Sequence, residues 1–215
     1  HTNKSKIPQV PPHFYILGAA KAGTTSLYAH LTLHPERYLS TVKEPQFFCH
    51  ECQYKKGMQY YLDKFFPGSQ LYALRGEATP HYLYFEKVAQ RIARNITGGN
   101  IKFIVILRDP VERAYSLYWN MVYEGIETLS FEEAINAEKN RSESSDSENS
   151  CSIDYQYVDS GMYARQLRNY YKYFNPEQFQ ILFFEDLKSS PAQIFREIFR
   201  FLGVNEHTDI HVGNA

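Results

Sequence analysis

Apolar residues along this chain fall into two alternating rhythms. Short extended runs occur at His13-Phe-Tyr-Ile-Leu17, Gln70–Gly76, Ile101–Leu107 and Phe179–Phe184. Their length and their β-branched and aromatic content predict strands. Ile101-Lys-Phe-Ile-Val-Ile-Leu107 is almost continuously apolar, as expected of a strand covered on both faces. Stretches with helical spacing lie between the runs. One follows the first strand and carries Leu27, Leu31 and Leu33 with His30 and His34 between them; others cover Lys87–Asn95, Val111–Glu124, Tyr163–Phe174 and Ala192–Leu202. Start and stop residues sit where helices need them: Gly98-Gly99 after one, Pro110 and Gly125 around another, Gly203 after the last. Ser130-Phe-Glu-Glu133 reads as a capping box that opens a further helix. Strands alternating with helices predict an α/β domain of three layers, P-loop-like, with a central parallel sheet flanked by helices. Ligands of such sheets bind beyond the carboxyl ends of the strands.

The chain has 215 residues, which fits one domain. Residues 1–12 are polar with three prolines and read as an N-terminal arm, leaving 13–215 as the folded unit. Residues 140–153 are polar and of low complexity and predict a flexible surface loop outside the core, either an insertion or a flap over a substrate. A net charge of −1 draws the chain toward neither nucleic acid nor an anionic membrane, so any anion site must be built locally. No apolar run is long enough to span a bilayer, and no secretory signal is visible, which favours the cytoplasm. The chain opens on His1, however, and an excised domain from the Golgi lumen stays open as an alternative. Three cysteines, Cys49, Cys52 and Cys151, are too few and too odd a number for a disulfide framework. Cys49-His-Glu-Cys52 lacks a second ligand pair, so the expectation is two ordinary thiols on a loop and no metal.

The chemistry concentrates in two stretches. Gly18-Ala-Ala-Lys-Ala-Gly-Thr-Thr-Ser26 follows the first strand and opens a helix. Glycines let the backbone approach a ligand closely, and helix N-terminal amides favour an anion. A nucleoside-triphosphatase loop places its lysine directly after the last glycine. Here Lys21 precedes Gly23, and Thr24 takes that slot. The second stretch is Ile104-Val-Ile-Leu-Arg-Asp-Pro-Val-Glu-Arg-Ala-Tyr-Ser-Leu-Tyr118. A buried strand ends at Arg108, turns at Asp109-Pro110 and enters a helix carrying Ser116. An arginine fork with a nearby hydroxyl suits a terminal phosphate, although Arg108 pairing with Asp109 or Glu112 would also explain it.

Together and in this order, the two stretches resemble sulfotransferases that use 3′-phosphoadenosine 5′-phosphosulfate (PAPS), of the heparan-sulfate type and of the bacterial type that includes polyketide-pathway domains. Lesser features agree: His34-Pro35, Lys43-Glu44-Pro-Gln-Phe47-Phe48, Gly76-Glu77-Ala-Thr-Pro80-His-Tyr82, Phe184-Glu185-Asp186-Leu187 and Phe199-Arg-Phe-Leu-Gly203. The resemblance implies that Lys21, Ala22, Gly23, Thr24, Thr25 and Ser26 hold the 5′-phosphosulfate of PAPS. It implies that Arg108 and Ser116 hold the 3′-phosphate, and that adenosine 3′,5′-bisphosphate (PAP) is the product. Glu44 corresponds to a catalytic glutamate, with Glu77 and His81 as other candidates for the base and Lys21 offsetting charge on the leaving oxygen. The implied acceptor is a hydroxyl on a sugar, on a hydroxyacyl chain of a carrier protein, or on a small natural product, and no metal is needed. Two departures stand out. Glu77-Ala78-Thr79 lacks the lysine of the heparan-type Glu-Lys-(Thr/Ser), which counts against a carbohydrate-sulfate acceptor. The chain also stops at Ala215, before the basic loop that covers the donor in relatives. Two competing readings are a small-metabolite kinase of the P-loop class and a non-catalytic nucleotide- or glycan-binding module.

Overall fold

The computed structural model describes residues 10–97, 100–142 and 151–206. Five strands, β1 (Phe14–Gly18), β2 (Arg37–Leu39), β3 (Leu74–Ala78), β4 (Lys102–Leu107) and β5 (Phe179–Phe183), form one sheet in the order β2-β3-β1-β4-β5. Every pairing is parallel. The helices are α1 (Thr24–Leu31), α2 (Glu51–Tyr54), α3 (Gly57–Phe65), α4 (Glu86–Asn95), α5 (Pro110–Tyr123), α6 (Phe131–Ser142), α7 (Tyr163–Tyr170), α8 (Phe184–Ser189) and α9 (Pro191–Leu202). The expected α/β fold with a central parallel sheet flanked by helices is therefore what the chain adopts.

Register follows from burial. All five residues of β1 and of β3 are buried, so both faces of the sheet centre are covered. Tyr15 of β1 lies level with Glu77 of β3 and Phe103 of β4. Phe14 crosses Gly76 so closely that a Cβ there would meet its ring at 2.2 Å, which explains the glycine inside a strand. His30 and His34 are packing residues, with ring centroids 4.9 Å from Phe195 and 4.7 Å from Phe199 of α9. On either side of β1 the chain first builds β2 and β3, then crosses to β4 and β5. The order reverses between β1 and β4, and a crevice opens beyond such a switch point.

Several expectations change. The strand expected at Gln70–Gly76 begins later, because Ser69–Leu71 forms a 3₁₀ turn after Gly68 at φ 75°. Tyr163–Phe174 ends as a helix at Tyr170 and continues in turns. Asn140–Ser142 is the last turn of α6 rather than loop, and residues 143–150 lie outside the described residues. Cys151 and Ile153 are buried, so the end of that stretch belongs to the core. Cys49 and Cys151 form a disulfide across 102 residues of sequence, which overturns the expectation of unpaired thiols at Cys49. Counting cysteines cannot show that the fold returns residue 151 to the loop after β2; Cys52 is exposed and outside the bridge. Of the N-terminal arm, Pro12 is buried, the Pro11 carbonyl accepts from Arg75 Nε at 3.5 Å, and residues 1–9 lie outside the described residues.

Candidate active site

The loop from Ala19 to Gly23 is pinned to the sheet. Ala19 N–H donates to the Ile106 carbonyl of β4 at 2.7 Å, and Ala22 N–H donates back to Ala19 at 3.2 Å. Gly23 caps α1 at φ 91° and offers no side-chain acceptor to the helix amides. The amides of the first turn, Thr24 to Ser26, have no intrahelical acceptor, which makes this end a place for an anion. A Cβ at Gly23 would approach Phe184 Cδ2 to 2.9 Å, so both dihedral and packing require glycine. Lys21 sits at φ 67°, in the left-handed region that costs a non-glycine residue free energy and that clusters at functional sites. Its Nζ donates to Asn120 Oδ1 of α5 at 2.6 Å, and Asn120 Nδ2 in turn donates to Glu124 Oε1 at 2.6 Å. Burial lowers the Lys21 pKa, the Glu124 carboxylate opposes that, and the Arg108 cation adds to it.

Arg108 follows the end of β4, next to β1. Asp109 caps α5 by accepting from the amides of Val111 at 2.9 Å and Glu112 at 3.0 Å, with Pro110 in the first turn. This turn aims Arg108 back at the first loop: its Nη1 donates to the Lys21 carbonyl at 3.3 Å. Its guanidinium lies 4.7 Å from the Phe184 ring centroid and pairs with Glu112 at 3.2 Å. Lys21, Gly23, Thr24, Thr25, Glu44, His81 and Arg108 all line one cavity of about 600 Å³. The two stretches that carried the resemblance thus meet in a single crevice at the switch point.

Three other candidates stand outside the lining. Ala22 is fully buried. Ser26 is on the first turn of α1, its Oγ 3.5 Å from His30 Nδ1. Ser116 is half-buried on α5, one turn from both Glu112 and Asn120 and so on their face of the helix.

The acid–base candidates separate sharply. Glu44 lines the cavity, sits at φ 61° and forms an ion pair with Lys43. Its amide donates to the Ala78 carbonyl at 2.9 Å, tying the loop to the end of β3. His81 also lines the cavity; burial lowers its pKa, while Glu44 and the Cys151 backbone raise it. Glu77 does neither: it is fully buried and accepts from Tyr61 Oη at 2.5 Å. Burial raises its carboxyl to about 7, against the pull of the Tyr61 and Tyr82 hydroxyls.

The fold adds residues that motif reading passed over. Leu117, Asn120, Met121 and Glu124 of α5 line the cavity, as do Ile153, Asp154 and Phe184. Asn120 and Glu124 were within reach of the sequence, because they repeat at four-residue intervals after Ser116 on one helical face. Ile153 and Asp154 were not, since that segment is returned to the crevice by contacts distant in sequence, the Cys49–Cys151 bridge and the packing of Ile153 and Tyr157 on α5.

A parallel α/β sheet whose switch point holds an uncapped helix end, a lysine and an arginine defines an anion-binding domain of the P-loop-like class. Residues 11–214 match the family model described as "Sulfotransferase domain", and the chain belongs to that family. It is 32% identical over 215 residues to the bifunctional heparan sulfate N-deacetylase/N-sulfotransferase 3 of Homo sapiens, covering 95% of this chain and 24% of that protein. The chain therefore spans about a quarter of the length of that relative. Among solved structures, a sulfotransferase from Alicyclobacillus acidocaldarius superposes with a TM-score of 0.81 at 30% identity, covering 95% of this chain and 85% of the other. A mouse sulfotransferase complexed with PAP shares the fold at a TM-score of 0.59 and 16% identity, covering 95% of this chain and 64% of the other.

Proposed function

We propose that this domain moves a sulfuryl group from PAPS to an acceptor hydroxyl. The observation that carries the reading is that Lys21 and Arg108, from two separate stretches, line one cavity together with Glu44. The residues fit a nucleotide carrying two anions. The uncapped α1 amides and Lys21 suit the 5′-phosphosulfate, and Arg108, with Ser116 one turn from Asn120, suits the 3′-phosphate. The mouse relative of the same fold is complexed with PAP, the product such a donor leaves.

In this reading Glu44 accepts the acceptor's hydroxyl proton as that oxygen bonds to sulfur. The bond from sulfur to the bridging oxygen of the donor breaks, and its electron pair leaves with PAP. Lys21 Nζ offsets the charge that builds on that oxygen. Asn120 holds the ammonium at 2.6 Å, which positions it before the donor arrives. His81 is the alternative proton acceptor, because it lines the same cavity and burial, the largest influence on it, lowers its pKa and favours the neutral imidazole. A kinase reading needs a lysine after the last loop glycine and an acidic Mg²⁺ ligand at a strand end. Thr24 and Arg108 occupy those places. The Cys49–Cys151 bridge fits an oxidising compartment such as the Golgi lumen better than the cytoplasm.

Calorimetry tests the donor assignment. PAP binds without magnesium, and Lys21→Ala and Arg108→Ala each weaken it by about 10-fold or more, the worth of one charge-assisted contact. Tight ATP binding that requires magnesium, with PAP ignored, would hand the site to the kinase reading.

A further inference from the structure

The charges along the cavity wall are unevenly shared. Its two cations, Lys21 and Arg108, sit together where the two loops meet. Three carboxylates, Glu44, Glu124 and Asp154, line the same cavity. Glu44 is neutralised by its ion pair with Lys43. Among the described residues, neither Glu124 nor Asp154 is ion-paired with a lysine or arginine. Glu124 lies behind Asn120 and acts on Lys21. Asp154 lines the same cavity, and its charge reaches His81, as does the opposite charge of Lys43. Beside Asp154 the wall is apolar, from Ile153, Leu117 and Met121.

This inference rests on the sulfuryl-transfer reading. A donor carrying several negative charges occupies Lys21 and Arg108, and what remains facing the acceptor is one unpaired carboxylate over an apolar wall. A second anion brought there meets both the donor and Asp154, and among the described residues the nearby Lys43 is already paired with Glu44. We propose that the acceptor is a small alcohol bearing an ammonium group near its reacting hydroxyl, and that Asp154 is the residue that selects it and rejects anionic acceptors. The heparan-sulfate relative is named for a polyanionic substrate, so this chain would differ from it in acceptor class.

Three aryl alcohols that differ only in one substituent (aminomethyl, methyl, carboxylate) test the idea. Transfer of radiolabelled sulfate is measured, together with binding of each alcohol to the PAP-loaded protein. The expected kcat/KM and affinity favour the ammonium compound over the carboxylate by ~10-fold at low salt, shrinking as ionic strength rises. Asp154→Asn brings that ratio to near unity, and Asp154→Lys reverses it. Equal or better use of the carboxylate by the wild type, or a ratio unmoved in both variants, overturns the inference and leaves sulfuryl transfer standing. Failure of PAP itself to bind overturns both.

Discussion

Glu44 and Glu77 are two carboxylates at the same end of the molecule with opposite fates. The Glu44 amide bonds to the Ala78 carbonyl, the residue next to Glu77, so the two backbones are neighbours. Glu44 sits on a loop in a left-handed conformation and faces the cavity. Glu77 sits in β3 level with Tyr15 and is enclosed with Tyr61 and Tyr82. One is partly exposed and ion-paired; the other has no charged partner among the described residues and takes hydroxyl hydrogen bonds instead. The difference teaches that a strongly shifted pKa does not by itself make a carboxyl a candidate base. Access to the reacting atoms comes first, and pKa follows.

The segment between them holds both arrangements in place. Phe48 N–H donates to Tyr82 Oη at 3.2 Å, Phe47 lies 4.6 Å from the Tyr61 ring, and Cys49 closes the stretch with its bridge to Cys151. The largest expected effect is therefore loss of that bridge. Closing a loop of 102 residues in the unfolded chain corresponds to ~4–5 kcal/mol of stability in the chain-entropy model. Reduction, or Cys151→Ser, should lower the urea midpoint accordingly. It should also loosen Ile153 and Asp154, raising KM for the acceptor before it disturbs PAP binding. A midpoint that ignores reductant would show that the pair is not joined in solution.

The elements with the strongest periodicity were legible from the chain. β4, α4, α5 and α9 fall within a residue or so of the expected spans, because an apolar run or amphipathic stripe coincides there with Pro, Asp or Gly punctuation. The capping box also forms: Ser130 N–H donates to Glu133 Oε2 at 2.9 Å and Glu133 N–H donates to Ser130 Oγ at 3.4 Å. What escaped was held by contacts distant in sequence. β2 has three residues and no pattern of its own, and it pairs only because β3 lies beside it. The meeting of Lys21 and Arg108 in one cavity was legible because each belongs to a contiguous strand-to-helix turn. The part of the cavity wall formed by Ile153, Asp154, Leu117 and Met121 was not, since it depends on contacts distant in sequence and on one face of α5. Glu44 lines the cavity and Glu77 is fully buried, and Glu44-Pro45 and Glu77-Ala78 carry no local sign of that difference.

A smaller effect isolates the enclosed carboxyl. Its folded pKa of about 7 stands above the ordinary 4.5, so the folded state holds a proton that the unfolded state releases. The contribution is fully present below about 4.5 and is lost as pH rises through about 7. The whole span is at most ~3 kcal/mol, from 1.36 kcal/mol per pKa unit. Glu77→Gln should abolish this slope in urea unfolding between pH 5 and 8, while sulfate transfer stays within ~2-fold because Glu77 is fully buried and does not line the cavity. A large loss of transfer in a folded Glu77→Gln protein would return Glu77 to the list of bases and break the comparison.

The last effect is the counterpart on the exposed side. Glu44→Gln keeps the shape of the side chain and removes its capacity to accept a proton. Turnover should fall by ~10²-fold, about 2.7 kcal/mol in the barrier, with PAP affinity unchanged because the proposed donor contacts are Lys21 and Arg108. Stability should barely move: the lost partner is Lys43, and an ion pair this exposed contributes ~1 kcal/mol or less. The pattern is then the inverse of Glu77→Gln, with chemistry lost and folding kept. Wild-type turnover in Glu44→Gln would pass the proton to His81, which shares the cavity wall. His81→Ala in that background would then lower turnover further, whereas an unchanged rate would exclude both groups and leave the acceptor's own environment to take the proton.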